Sequence, residues 1–249
     1  MTSLPPPAAE RARQVQRMFT RITTRYDLMN RVMTGGRDQA WRRETAKHLQ
    51  LGNGPTHVLD LATGTGDLAF AVRERYPNAR VSAFDFSEGI LREGARKGAQ
   101  RSDALQYDWG VGDALHLPFP DATFDGVTNA FLLRNVVDLP QCLRELKRVT
   151  KPGGRVVCME ITHPQTPVFK QLFTLYFYKL VPILGGIISG DFKAYAYLPN
   201  SLSRFPPAQP LRDMFDAAGY RNSYFKLLAL GTMAVHVGEK GVGADSDGG

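Results

Sequence analysis

From Thr56 onward the chain repeats one pattern, a short apolar run, a turn and then an amphipathic stretch. The first unit runs from Thr56 through Asp60-Leu-Ala-Thr-Gly64-Thr65-Gly66-Asp67 into a helical stretch that reaches Tyr76. A second unit starts at Ala79, and Ser87 and Gly89 stand where a helix cap and turn belong. Leu105–Ala114 reads as a third strand and Phe124–Leu133 as a fourth, followed by a helix over Leu139–Val149. Lys151-Pro-Gly-Gly154 stops that helix, and Arg155–Ile161 is a fifth strand. Strands alternating with helices imply parallel βαβ units joined by right-handed crossovers. Two more strand-like runs, Asn222–Leu230 and Thr232–Gly238, flank Gly231, which suits the turn of an antiparallel pair. The expected fold is α/β, a doubly wound, mostly parallel seven-stranded sheet of Rossmann-like type.

Two regions lie outside that rhythm. Residues 9–50 read as a helical cap, with Val15, Met18, Phe19 and Ile22, then Ala40, Trp41, Ala46 and Leu49, recurring at helical spacing around Gly35-Gly36. Residues 167–205 read as an insertion on the substrate side. It is apolar and aromatic through Phe169, Leu172, Phe173, Leu175, Tyr176, Phe177, Leu180, Val181, Ile183 and Leu184, and broken at Pro182 and Gly185-Gly186. Residues 1–8 and 241–249 are expected to be disordered by composition. The remainder, 9–240, is expected to be one domain.

Several classes are disfavoured. The two cysteines, Cys142 and Cys158, form no C-x-x-C pair, and no histidine or cysteine has metal-ligand spacing, so no disulfide framework and no metal site are expected. The start lacks an apolar signal core, and no charge-free apolar stretch reaches about 18 residues, so a cytoplasmic protein without a spanning helix is expected. The formal net charge of +7 admits a nucleic acid, an anionic membrane surface, or no partner at all. The basic residues near the N-terminus are spaced rather than run together, which makes no nucleic-acid arm.

The chemistry gathers where strands end. Gly64, Thr65 and Gly66 form a turn where backbone can approach a ligand closely, and the following helix offers free N–H groups to an anion. Asp85, about 20 residues on, closes the second strand, where an acid can bind two ribose hydroxyls. Both features are shared by dinucleotide and S-adenosylmethionine binders. Asp60 separates them. A carboxylate at the end of the first strand can meet a cationic methionine end, where a dinucleotide fold keeps apolar residues. Asp113, followed by Ala114, can accept from an adenine amino group. Asn129, at the end of the fourth strand, joins the expected donor-binding set. The bland alternative is that these acids cap helices or line turns.

The motifs carry a resemblance. Tyr26-Asp-Leu-Met-Asn30, Leu59-Asp-Leu-Ala-Thr-Gly-Thr-Gly-Asp67, Leu117-Pro-Phe-Pro-Asp-Ala-Thr-Phe-Asp125, Leu133-Arg-Asn-Val136, Lys151-Pro-Gly-Gly154 and Ala194-Tyr-Ala-Tyr-Leu-Pro199 through Phe205-Pro206 span nearly the whole chain. The sequence resembles the ubiquinone/menaquinone biosynthesis C-methyltransferase family, of the demethylmenaquinone methyltransferase type. The resemblance implies the class I methyltransferase form of the fold and S-adenosylmethionine as methyl donor. It also implies Thr65, Asp85, Asp113 and Ala114 as donor contacts and a prenylated quinol as acceptor. It departs at Ala130-Phe-Leu132, where the family has Ser-Phe-Gly, so a serine contact to the donor is absent. A second departure is Ile161-Thr-His-Pro164, where the family has an aromatic residue, Ser and Pro.

Arg134 and Asn135 follow the fourth strand, where an open α/β sheet places its ligands. An arginine there can stabilise a developing phenolate and an asparagine can orient a hydroxyl or water. His163, just past the fifth strand, is a candidate general base, with a structural histidine as the even alternative. The apolar 168–190 segment can cover the sheet as core, wall a greasy substrate and touch lipid, and these roles are compatible. The expected reaction is donor-dependent C-methylation of demethylmenaquinol to menaquinol. The rivals are transfer to another small aromatic or lipid, a nicotinamide oxidoreductase, and a non-enzymatic binding protein. A homodimer is left open.

Overall fold

The computed structural model describes Glu10, residues 27–189, Pro199 and residues 201–242. The expected disorder at 1–8 and 243–249, the apolar row Val15 to Ile22, Tyr26, and most of the Ala194–Pro199 motif lie outside the described residues.

Residues 27–34 (α1) are helical, and Gly35 and Gly36, at φ +58° and +76°, turn the chain into α2 (Asp38–Lys47). Then come β1 (Thr56–Leu61), α3 (Asp67–Arg75), β2 (Ala79–Asp85), α4 (Glu88–Ala99), β3 (Tyr107–Val111), β4 (Phe124–Ala130), α5 (Leu139–Val149) and β5 (Thr150–Ile161). The sheet has seven strands in the order β3-β2-β1-β4-β5-β7-β6, where β6 is Arg221–Leu228 and β7 is Met233–Glu239. The first five are parallel, while β7 runs antiparallel to both β5 and β6. Gly231, at φ +85°, lies in the turn between β6 and β7.

Strand alternation explains the layers. In β1, Val58 faces the core shared with Leu49 and Leu68, while Leu59 and Leu61 face the core shared with Leu143 and Leu146. In β5, Val157 and Met159 take the first side and Val156 and Cys158 the second. A sheet buried on both faces reads as nearly continuous apolar runs, which is how these strands look in sequence. Helix α5 shows the matching pattern. Cys142, Leu143, Leu146 and Val149 make one buried stripe, and the Asp138 side chain caps the helix by accepting from the Gln141 N–H at 2.9 Å.

The fifth strand is longer than expected. It begins at Thr150 because the Lys151–Gly154 segment stays within it, at a register shift opposite Phe124 and Gly126. There Gly153 and Gly154 exchange backbone bonds with Lys240 near the far end of the chain: Gly153 N–H donates to Lys240 O, and Lys240 N–H to Gly154 O.

The insertion also differs from expectation. Helix α6 (Pro167–Leu175) runs through a π-helical turn at Tyr176–Leu180 directly into α7 (Val181–Ser189). Pro182 has no N–H to give, and its ring excludes the carbonyl one turn back, so the helix widens there rather than breaking. Gly185 and Gly186 are buried inside α7. Phe177 is buried against Val181 and Leu202 and stacks on Phe173, with ring centroids 5.1 Å apart. Outward lies a separate row, Leu172 (58% exposed), Leu175 (63%), Leu180 (46%) and Ile183 (51%). After it, α8 (Ala208–Ala217) packs Leu211 and Phe215 into the second core. Among the described residues no helix is long and apolar enough to cross a membrane.

Candidate active site

The strand order reverses at β1, with β2 on one side and β4 on the other. In open α/β sheets ligands bind beyond the carboxyl ends of the strands at such a point. The polar residues expected to bind the donor or serve catalysis lie on that edge. Asp60 is next to last in β1, Asp85 ends β2, and Asp113 lies two residues past β3. Asn129 is next to last in β4, and His163 lies two residues past β5.

Asp60 is fully buried and spans the reversal. Thr63 Oγ1 donates to its Oδ2 at 2.7 Å, and Thr128 Oγ1, from the paired position on β4, donates to its Oδ1 at 2.9 Å. Burial pushes its carboxyl up to about 6, against the pull of those hydroxyls and of Arg42. Asp60 thus shapes the loop above it while placing negative charge under it.

Asp85 braces the same loop from the other side. It accepts from the Gly64 N–H at 2.9 Å and the Ser87 N–H at 2.8 Å. Burial raises its carboxyl and these amides hold it back. Ser87 is the N-cap residue of α4 by position, but its backbone binds Asp85 rather than its side chain capping the helix. Gly66, at φ +88°, has no room for a side chain, since a Cβ would lie 2.7 Å from Trp109 and 2.8 Å from Phe70. Asp113 is half-exposed, with Oδ1 fixed by the Leu115 N–H at 2.9 Å, and Ala114 beside it is buried. Asn129 is fully buried. Its Nδ2 donates to Cys158 Sγ at 3.0 Å and its Oδ1 has no partner.

Two contacts were not anticipated. Thr65 Oγ1 donates to Asp27 Oδ1 at 2.6 Å, and Lys97 Nζ bridges Asp27 Oδ2 at 2.8 Å and Asp67 Oδ1 at 2.6 Å. Despite burial, Arg42 and Lys97 hold Asp67 below the usual carboxylate range. The second concerns Arg134. Its Nη1 donates to Glu160 Oε2 at 2.7 Å, both side chains are almost wholly buried, and its guanidinium lies 4.9 Å from the Phe131 ring centre. Burial pushes the Glu160 carboxyl up, while Arg134 and the Ile161 amide hold it back. Asn135 is held by its own loop, donating from Nδ2 to Phe131 O at 2.7 Å. His163 is half-buried. Glu160 carries the signal already read at Asp60 and Asp85, an acid at the end of an apolar strand. Asp27 lies inside a motif that had been noted but given no role.

Three further histidines are tied into the fold, while His116 is exposed, 4.0 Å from the Asp113 carboxylate. His236 is buried, with Nε2 3.0 Å from Ala208 O, and burial lowers it to about 4. His57 meets Ser82 Oγ at 2.9 Å and His48 meets Tyr224 Oη at 3.0 Å. Among the described residues no group of three or more acids, histidines or cysteines is placed to hold a metal. Cys142 and Cys158 are buried free thiols.

A glycine turn at the reversal, a buried acid beneath it, an acid at the end of β2 and another past β3 define a class, the S-adenosylmethionine-dependent methyltransferases of the seven-stranded α/β type. The donor fits these residues. Two carboxylates at the edge of the sheet suit hydroxyl and amino groups, the buried charge of Asp60 suits a cationic ligand, and Asn129 Oδ1 is an acceptor the chain leaves unused. The chain belongs to the ubiE/COQ5 methyltransferase family, whose family model matches residues 8–240. It is 46% identical over 223 residues to a demethylmenaquinone methyltransferase of Thermus thermophilus, covering 90% of this chain and 100% of that protein. It is 45% identical to a ubiquinone/menaquinone biosynthesis C-methyltransferase UbiE of Desulfotalea psychrophila, covering 91% and 90%. Among solved structures, the [4+2]-cyclase SpnF matches with TM-score 0.71 at 19% identity over 97% of this chain and 100% of that one. A Haemonchus contortus phosphoethanolamine N-methyltransferase 2 matches with TM-score 0.61 at 12% identity over 82% and 53%. These distant likenesses show the fold alone, and a cyclase among them underlines that the fold does not choose the reaction.

Proposed function

We propose that this chain methylates a ring carbon of a prenylated quinol, converting demethylmenaquinol to menaquinol. The observation that carries this is the 46% identity, over almost the whole chain, to a protein named demethylmenaquinone methyltransferase, together with the donor-shaped edge of the sheet. When bound, S-adenosylmethionine supplies a methyl group already activated by a cationic sulfur. The protein's part is then to position, orient and exclude water. In this reading residues 9–240 are one methyltransferase unit with 9–50 as cap and 167–205 as substrate-side insertion. Asp85 takes the ribose hydroxyls, and Asp113 with Ala114 takes the adenine. Gly64, Thr65 and Gly66 with Asp60 beneath them take the methionine end, and Asn129 uses its free acceptor there. Arg134 stabilises the quinol oxygen as its proton leaves, Asn135 orients that hydroxyl or a water, and His163 is the candidate proton acceptor. Charge delocalises to the ring carbon ortho to that oxygen, which gains the methyl and then loses its hydrogen as a proton.

The exposed row from Leu172 to Ile183 and the exposed Lys170 and Lys179 support transient contact with the anionic inner face of the membrane by a cytoplasmic enzyme. No nucleic-acid partner is assigned.

Purified chain is supplied with S-adenosylmethionine and either short-tailed demethylmenaquinol or a demethylated benzoquinol, both kept reduced. The expected result is one methyl added to the naphthoquinol and an equal amount of S-adenosylhomocysteine. Transfer to the benzoquinol alone would replace the acceptor, and transfer to neither would overturn the quinol assignment.

A further inference from the structure

We propose that Glu160 is a positioning residue for methyl transfer, setting the orientation of the Arg134 guanidinium at the acceptor edge. This rests on the reading of Arg134 given above. Glu160 is fully buried. Its two oxygens meet Arg134 at two points, Oε2 at Nη1 (2.7 Å) and Oε1 near the backbone N–H (3.4 Å). The carboxylate therefore fixes both the loop after β4 and the side chain it carries. Phe131, at φ +63°, lies under the guanidinium as a second support and also takes the Asn135 side-chain amide on its carbonyl. Arg134, Asn135, Phe131 and Glu160 thus form one unit at the ends of β4 and β5.

One buried donor of the unit is unpaired. Arg134 Nε is buried with no hydrogen-bond partner, an uncommon state for a charged group. Glu160 holds one edge of the guanidinium at Nη1 and Phe131 lies against its face, so these two contacts set how the cation is presented to the acceptor edge. The assigned acceptor is the quinol oxygen, which becomes negative as its proton leaves. Glu160 has a second effect. Paired with it, Arg134 rests in the apolar edge as a neutral unit, so the site does not carry an uncompensated cation before the acceptor arrives. A flexible or displaced arginine would meet the oxygen in fewer encounters, which lowers turnover without touching the donor.

The test is a double-mutant cycle on the full chain with Glu160→Gln, Arg134→Ala and the pair, using S-adenosylmethionine and short-tailed demethylmenaquinol. Glu160→Gln is expected to lower kcat by roughly 10- to 100-fold, the range expected for a charged hydrogen bond, with donor affinity by calorimetry within about twofold of wild type. The double variant is expected to be no slower than Arg134→Ala alone, because Glu160 acts only through Arg134. Unchanged kcat in Glu160→Gln, or losses that multiply in the double variant, would overturn the assignment of Glu160 and leave Arg134 standing. Unchanged kcat in Arg134→Ala would overturn both. If Glu160→Gln does not fold, since one partner of a buried pair is removed, Glu160→Asp keeps the charge and withdraws the carboxylate by one methylene. The same cycle is then run with it, and kcat at the wild-type level would again overturn the proposal.

Discussion

Thr65 Oγ1 donates to Asp27 Oδ1 at 2.6 Å, tying the glycine turn to α1 across 38 residues of sequence. Lys97 completes the clamp by joining Asp27 to Asp67 at the start of α3. The methionine end of the donor is assigned to the same turn, so α1 is tied to the proposed donor site. Asp27→Asn is expected to speed donor release about fivefold, the discounted worth of a partly exposed charged contact. Stopped-flow dissociation measures it. Release at the wild-type rate would make the clamp a purely structural tie.

Asp85→Ala removes the carboxylate assigned to the ribose and also the brace on Gly64 N–H. Donor affinity is expected to fall roughly 10- to 100-fold. Calorimetry on folded variant checks this, and unchanged affinity would remove Asp85 from the donor site.

Asp60 gives a prediction in pH. Its carboxyl holds a proton up to about 6 in the fold, against an ordinary value of 3.8. The native state therefore binds more protons than the unfolded chain between pH 4 and 6, and stability from this group falls as pH rises through that window. Above pH 6 the cost is about 3 kcal/mol and constant. Asp60→Asn is expected to gain stability relative to wild type between pH 4 and pH 7.5, while binding the donor more weakly. His236, lowered to about 4, loses stability in the opposite direction, as pH falls below 6.5. It is present in both proteins and cancels in the difference. Urea denaturation at the two pH values decides, and a difference independent of pH would show that Asp60 is ordinarily charged.

Gly94 lies on α4, which carries none of the assigned site residues, yet a Cβ there would meet Gly64 O and Trp109, each at 2.8 Å. Gly94→Ala must push the glycine turn or the indole. It is expected to cost about 1–3 kcal/mol of stability and to weaken the donor at least tenfold. Gly52→Ala, with nothing within 4 Å, is the control and is expected to change neither. Wild-type donor affinity in Gly94→Ala would mean the strain is absorbed by Trp109 alone.

The seven strands were legible because burial on both faces leaves a pattern along the chain, and the turns are marked by glycine at Gly35-Gly36, Gly64, Gly66 and Gly231. Asp60 and Asp85 stood out as acids on apolar strands. Glu160 has the same signature, but its partner Arg134 lies 26 residues away and the pairing exists only once β4 and β5 are neighbours. The contact of Asp27 with Thr65 and Lys97 likewise depends on α1 folding back over α4, which no local pattern encodes. The π turn before Pro182 was hidden because apolar periodicity does not distinguish a widened helical turn from a break.

The same widened segment sets the last prediction. The aromatic pair Phe173 and Phe177 invites replacement as a membrane anchor, but Phe177 is buried in the local core, so changing it tests packing. The outward row is Leu172, Leu175, Leu180 and Ile183, each about half exposed or more, spaced to share one side of a helix and accompanied by Lys170 and Lys179. An apolar row flanked by lysines suits a helix lying at the bilayer interface, and each lysine near an anionic surface adds about 1 kcal/mol. The rival account is that the segment serves only as lid or core and its positive charge is incidental. Replacing all four by serine is expected to abolish flotation with anionic vesicles while donor affinity stays at the wild-type value. Binding of the wild type is also expected to weaken with salt, since part of the attraction is screened. If the wild type does not float with anionic vesicles at low salt, or the serine variant floats equally well, the row is not the membrane contact.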